Sequence, residues 1–354
     1  MLSKPLTSFL LLALAVSCAF AQSGKVKKKS EDEVKKPAGT YVPTQGLKPG
    51  PSPSPTATPA PEKKPDDDVI QVESTLVPIP VSVVDLATGR AITDLAIADF
   101  ELRVDGLIVE IDELYRSESP VRLALLFDNS SSVTVAREFE QMAAIRFFRQ
   151  VIRPEIDLAA LYSVAGVFRL EQPLTKDVSA LVNAIRNLPQ PQGATSLHDA
   201  IIDASNYLQD HAGRRVIVIV SDGQDTLSDT KFDEMVKIVQ QNNCQVYVVH
   251  TNEFENFKRT GSRAGSANLR ALAAERRMQT LGLQTGGAVY SPIDEDELNK
   301  AFAQISAELS NQYILGYYPE NEAKDGRFRT IELRIRSERR LTIRARKGYY
   351  VGKK

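Results

Sequence analysis

Asp128-Asn129-Ser130-Ser131-Ser132 closes the apolar run Leu123-Ala124-Leu125-Leu126-Phe127 and opens onto a segment with helical periodicity. A buried strand that stops on a carboxylate and two alternate hydroxyls presents hard oxygen donors at one rim. Such a rim suits Mg²⁺, which takes about six oxygens at roughly 2.1 Å and is usually held by one or two carboxylates with waters completing the shell. Asp and Ser are also common turn and N-cap residues, so the same D-x-S-x-S pattern taken alone reads as a helix cap as well.

Two later segments add to it. Thr195 lies in Gly193-Ala194-Thr195-Ser196-Leu197-His198, just ahead of an apolar-periodic run, and Asp222 follows the β-branched stretch Val216-Ile217-Val218-Ile219-Val220-Ser221. The set Asp128, Ser130, Ser132, Thr195 and Asp222 resembles, in order and context, the metal-ion-dependent adhesion site of von Willebrand factor A domains. Over roughly residues 70–351 the chain is similar to secreted "VWFA-related" proteins of soil bacteria such as Acidobacteria. The phrases that carry this are Ser221-Asp222-Gly223-Gln224-Asp225-Thr226, Thr285-Gly286-Gly287, Gln312-Tyr313-Ile314-Leu315-Gly316-Tyr317-Tyr318-Pro319 and Arg346-Lys347-Gly348-Tyr349-Tyr350. Ser131 stands where such sites commonly have Gly.

The resemblance implies a site for Mg²⁺, or Mn²⁺ or Ca²⁺, in which Ser130, Ser132 and Thr195 offer hydroxyl oxygens while Asp128 and Asp222 act partly through bound waters. A cation with few direct anionic ligands stays electrophilic, so an Asp or Glu from a protein partner completes its shell. The expected function is therefore an exported, cation-dependent adhesion or protein-binding module rather than an enzyme. An accessory or regulatory subunit of an envelope enzyme or assembly system is the alternative, as is a structural envelope protein with an unused metal site.

Other chemistry is poorly represented. His198 and Asp199 begin a helix beside Thr195, but no G-x-S-x-G elbow supplies a nucleophile. Asp225 and Asp229 lack the spacing of an EF-hand loop and read as loop and helix caps. No P-loop and no paired-cysteine zinc spacing occurs, and a net charge of -1 makes no whole-molecule case for nucleic acid. Cys244 opens an apolar run and reads as core.

A central α/β domain, residues 121–310, must position these residues. Strands fit 123–127, 158–164, 167–170, 216–220, 246–250 and 288–290; helices fit 137–151, 178–188, 197–208, 233–241, 269–283 and 295–309. Segment 167–170 follows its neighbour too closely for a crossover helix and reads as an antiparallel edge strand. The rest reads as a doubly wound, mostly parallel sheet, whose ligands sit beyond the carboxyl ends of the strands, where Asp128 and Asp222 fall. The polar, Gly-containing stretch 252–268 reads as a loop.

The flanks, 69–120 and 311–354, read as β. Val77, Ile79, Val81 and Val83 alternate, and Phe100, Leu102 and Val104 alternate before the hairpin signal Asp105-Gly106. Ile331, Leu333, Ile335 and then Leu341, Ile343, Ala345 alternate on either side of the turn-like 337–340. Each flank is short of strands by itself, so the two are expected to join in one small β-sandwich with the α/β domain inserted between them. Residues 324–354 carry twelve Lys and Arg against three acids, and Arg334, Arg336, Arg344 and Arg346 share one parity of this C-terminal hairpin. A solvated face is the plain reading, an anionic envelope surface the sharper one.

Residues 1–21 read as a signal peptide, with Lys4, the apolar stretch 9–16 and Ala19-Phe20-Ala21 before Gln22. The apolar stretch is too short to span a membrane, so no transmembrane helix is expected in the mature chain. Ala15-Val16-Ser17-Cys18 also resembles a permissive lipobox, so a lipid anchor at Cys18 is the alternative to simple periplasmic or extracellular release. Residues 22–68, mixing Lys and acids with Pro-Ser repeats, cannot bury a core and read as an extended tether.

Overall fold

The computed structural model describes residues 76–131, 134–263, 268–319, 324–337 and 339–352. The expected leader with Cys18 and the expected tether lie outside them, as does Ser132.

Four strands precede the α/β domain: β1 (Val77–Asp85), β2 (Phe100–Val104), β3 (Leu107–Val109) and β4 (Glu113–Arg116). The domain then runs β5 (Val121–Asp128), α1 (Arg137–Val151), β6 (Leu158–Val164), β7 (Arg169–Thr175), α2 (Val178–Arg186), α3 (Leu197–Gln209), β8 (Arg214–Ser221), α4 (Phe232–Gln241), β9 (Cys244–His250), α5 (Asn252–Thr260), α6 (Leu269–Thr285), β10 (Val289–Tyr290) and α7 (Glu295–Ser310). Four strands close the chain: β11 (Tyr313–Tyr317), β12 (Phe328–Ile335), β13 (Leu341–Ala345) and β14 (Gly348–Tyr350).

The six-stranded sheet has the order β10-β9-β8-β5-β6-β7, and only β7 is antiparallel. Its strands are apolar on both faces because helices cover both. Leu123, Leu125 and Phe127 of β5 point with Val216, Val218 and Val220 of β8 toward α1, α2 and α7. The alternate residues Ala124, Leu126, Ile217 and Ile219 point toward α3, α4 and α6. This period-two division makes a doubly wound α/β fold. The chain leaves β5 toward β6 on one side and returns to β8 on the other, so the order reverses beside β5. In doubly wound sheets ligands bind at this switch point, here the carboxyl ends of β5 and β8.

The flanks pair with each other in two antiparallel sheets, β13-β1-β11-β4 and β14-β12-β2-β3. Ile79, Val81, Phe100, Leu102, Leu315 and Ile331 fill the core between them. Asp105 and Gly106 both take positive φ, 50° and 82°, as a tight turn between β2 and β3 requires.

Three expectations are corrected. Residues 252–260 form a helix rather than part of a loop. Phe254 is fully buried, acids Glu253 and Glu255 occupy the first turn, Lys258 and Arg259 the last, and Gly261 caps the end at φ 70°. The edge strand starts at Arg169 rather than Val167 and runs on through Pro173, which an edge position tolerates. The C-terminal segments do not form a hairpin: β12 pairs with β2 and β14, whereas β13 pairs with β1.

That last difference divides the basic stripe. The side chains of Arg334 and Arg336 are 65% and 64% exposed. Arg344 instead turns into the α/β domain and pairs with Glu308 of α7, which is 3% exposed and also accepts from the Tyr290 hydroxyl at 2.6 Å. Arg346 donates to Pro78 O at 2.8 Å and to Asn243. Both arginines fasten the sandwich, so these four arginines do not form one exposed stripe. Among the described residues no helix is long and apolar enough to cross a membrane.

Candidate functional site

Asp128 ends β5, Ser130 follows it, Thr195 precedes α3 and Asp222 follows β8. All four are at most 4% exposed. The fifth sequence candidate, Ser132, lies outside the described residues. Three loops meet here, and backbone groups stitch them together. Asn129 O accepts from Gln192 N at 3.0 Å, and Gly193 O accepts from Ser131 N at 3.2 Å. Thr195 O accepts from Thr226 N at 2.9 Å and Leu227 N at 3.1 Å, while Thr195 N donates to the Thr226 hydroxyl at 2.9 Å. Ser131 has a definite job: its hydroxyl donates to Gly193 O at 2.9 Å, a bond that glycine could not make.

The carboxylates are held by donors. Asp128 Oδ1 accepts from Ser130 N at 2.9 Å and Oδ2 from the Ser221 hydroxyl at 2.6 Å. Asp222 accepts from Gln224 N at 2.9 Å and from its side-chain amide at 3.0 Å. Burial, together with the negative charge of Asp222, pushes the Asp128 carboxyl up to about 6 against these hydrogen bonds.

Two further carboxylates, absent from the sequence motif, face this region. Glu140 of α1 is 1% exposed, and its Oε1 has no hydrogen-bond partner. Burial raises its pKa well above the usual carboxylate range, and the charges of Glu255, Asp128 and Asp222 add to the effect. Glu255 of α5 accepts from Ala136 N at 3.1 Å at the start of α1, and burial raises its pKa too. Glu140 was detectable in the sequence, because it shares a helical face with Ala143, Ala144 and Phe147, where a carboxylate is out of place. His250, at the end of β9, is 2% exposed with neither ring nitrogen bonded, and burial lowers its pKa.

Among the described residues, none of these four carboxylates has a Lys or Arg within ion-pairing distance. Nor do three Asp, Glu, His or Cys side chains converge to hold an ion. The donor set is therefore two carboxylates with neutral hydroxyls. It suits a hard cation that keeps part of its water, and not a soft metal that seeks thiolate or imidazole.

His198 and Asp225 have structural partners. Asp225 Oδ1 accepts from Leu197 N at 2.8 Å and His198 N at 3.2 Å, which caps α3 from a distant loop. His198 Nδ1 lies 3.1 Å from Thr230 O and 3.5 Å from Asp225 Oδ2. Asp199 accepts from Asp229 N at 2.9 Å. Cys244 is buried and free, and burial raises its thiol pKa to about 11.

Residues 123–224 match the von Willebrand factor type A domain family. No curated protein matches the chain. Among solved structures, the chain is similar to an aerotolerance-related membrane protein from Bacteroides fragilis, with 18% identity over 53% of this chain and 98% of that one and a TM-score of 0.40. BatB from Bacteroides thetaiotaomicron shows 17% identity over 54% and 98%, with a TM-score of 0.42. The von Willebrand factor domain of the type V pili tip protein Mfa5 from Porphyromonas gingivalis shows 24% identity over 30% and 39%, with a TM-score of 0.29.

Proposed function

Because the chain carries a von Willebrand factor type A domain across residues 123–224, we propose that it is a non-enzymatic module that binds a protein partner through a divalent cation. One observation carries the reading: Asp128 and Asp222 are both buried at the carboxyl ends of the adjacent strands β5 and β8, near enough for the Asp222 charge to act on Asp128, with no basic partner within ion-pairing distance among the described residues. The Asp222 charge raises the energy of an ionised Asp128, and a cation would relieve that repulsion.

Asp128, Asp222, Ser130 and Thr195 would hold the ion, Mg²⁺ or with similar donors Mn²⁺ or Ca²⁺; Ser132 joins them on the sequence pattern alone. When bound, the cation supplies an electrophilic position for an Asp or Glu carboxylate of the partner. The chain's own residues fix the donors. Ser221 and Ser130 N orient Asp128, Gln224 orients Asp222, and the bonds from Ser131 and Thr226 hold the three loops in register.

The non-catalytic part of the proposal is supported by His198, whose Nδ1 lies against Thr230 O and Asp225 rather than against a nucleophile. Residues 1–21 support export.

Titration calorimetry of the purified protein with Mg²⁺ and Mn²⁺ tests the site, and capture from a cell-envelope extract tests the role. The expected result is saturable metal binding lost in Asp222→Ala, and capture of a discrete partner that EDTA and Asp222→Ala both abolish. Absence of metal binding in the wild-type protein sinks the proposal.

A further inference from the structure

A cavity of about 580 Å³ lies where the sandwich meets the α/β domain, at the start of β8 and so at the opposite end of that strand from Asp222. Arg214 and Arg215 of β8 line it, together with Arg346 from just beyond β13. Among the described residues, no Asp or Glu lines it. Each arginine is bonded, among the described residues, to neutral oxygens: Arg214 to Gln312 and Leu309 O, Arg215 to Asn242 O and Gln209 O, Arg346 to Asn243 and Pro78 O. Each also keeps a buried Nε with no acceptor.

Part of this charge has a counterweight. Leu309, Gln209 and Asn242 are at the C-terminal ends of α7, α3 and α4, and a helix C-terminus carries about half a negative charge. Thr285 in the cavity wall adds the end of α6, so four such ends offset about two of the three guanidinium charges, and Arg346 donates to none of their carbonyls. The cavity thus keeps a net positive field, with Tyr115, Ile314, Tyr349 and Tyr350 forming its less polar wall.

We propose that this junction cavity binds a small organic anion, with a carboxylate or phosphate group held by Arg215 and Arg346 and an apolar or aromatic body against the tyrosines. The guanidinium fork matches both headgroups bidentately. The volume lies within the roughly 300–1,000 Å³ of small-molecule sites, which favour domain junctions. Burial lowers the pKa of Arg346 and of Arg214, as expected of cations short of counter-charge.

Calorimetry on the full chain with benzoate, phenyl phosphate and inorganic phosphate, all in EDTA, tests this independently of the cation site. Saturable binding of benzoate or phenyl phosphate is expected, weakened at least tenfold by Arg215→Gln and unchanged by Asp222→Ala. The better of the two aromatic anions identifies the headgroup. Circular dichroism checks that Arg215→Gln is folded, and Arg346→Lys, which keeps the charge and loses the fork, replaces it if not. No saturable binding of either aromatic anion by the wild-type protein overturns the proposal. So does binding that neither arginine variant weakens, or inorganic phosphate bound as tightly as phenyl phosphate.

Discussion

The Ser221 hydroxyl donates to Asp128 Oδ2 at 2.6 Å, across the neighbouring strands β8 and β5 and beneath the point where the three loops converge. The bond opposes the burial and the Asp222 charge that raise the Asp128 pKa. Replacing Ser221 with Ala leaves a buried carboxylate oxygen without its donor and removes the acceptor of Gly223 N. Urea denaturation is expected to show a loss of about 1–3 kcal/mol, and a carbon-detected NMR titration should place the Asp128 midpoint above about 6.

Stability of the protein in EDTA depends on pH through Asp128. Its folded pKa, about 6, lies above the ordinary 3.8, so the folded state holds a proton that the unfolded chain has released. Stability is therefore greatest below pH 3.8 for this group and falls as pH rises to about 6, by roughly 3 kcal/mol. Glu140, also raised, extends the decline. Denaturation curves of wild type and Asp128→Asn between pH 4 and pH 7 should diverge in this direction; parallel curves contradict it. Mg²⁺ should flatten the wild-type slope if the cation site operates.

Asp157 ties the loop between α1 and β6 to the start of β5, at the far end of the sheet. It accepts from Val121 N and Arg153 Nη2 at 2.8 Å on one oxygen, and from Arg153 N at 3.0 Å and Arg153 Nε at 2.8 Å on the other. Asp157→Ala strands two backbone N–H groups and takes the carboxylate from the Arg153 guanidinium, at an expected cost of about 3 kcal/mol in urea denaturation. Metal binding, at the other end of β5, should be unchanged.

Gly287 has no room for a side chain. A Cβ there would lie 1.8 Å from Val246 O, and one at Gly286, which also holds φ +80°, would lie 2.5 Å from Arg346 N. Gly287→Ala is expected to lower stability by about 3 kcal/mol or more, because backbone must move on β9. Gly352→Ala, with open space around it, should leave the melting temperature where it is.

Legibility in the sequence followed the range of the interactions. α1 begins and ends where its spacing places it, at Arg137 and Val151, because an amphipathic period and the ends of the run are local properties. Asp105-Gly106 likewise contains its own turn. α5 was missed since its polar composition outweighed a single buried aromatic, although the acids first, bases last and Gly261 were all present in the sequence.

Long-range partners were the harder part. Turn-like residues between β12 and β13 suggested local pairing, yet Val83 on β1 pairs with Ile343, a choice made by burial in the sandwich. Parity along β13 identified Arg344 and Arg346 as facing one way but not what stood opposite, which is Glu308 and Asn243. At the candidate site the motif gave donors along one chain segment after another. It did not show Ser221 under Asp128, or Glu140 and Glu255 reaching toward them from α1 and α5.

The insertion of the α/β domain into the sandwich has a mechanical consequence. The described chain begins at Leu76, next to β1, and reaches Gly352, just past β14, so both ends leave from the sandwich. Tension applied between those ends travels through the ladders of β1 with β11 and β13 and of β12 with β14. The six-stranded sheet hangs from this frame as a side loop. Pulling between Leu76 and Gly352 is therefore expected to load the sandwich strands before β5 or β8, an order that single-molecule force spectroscopy would read.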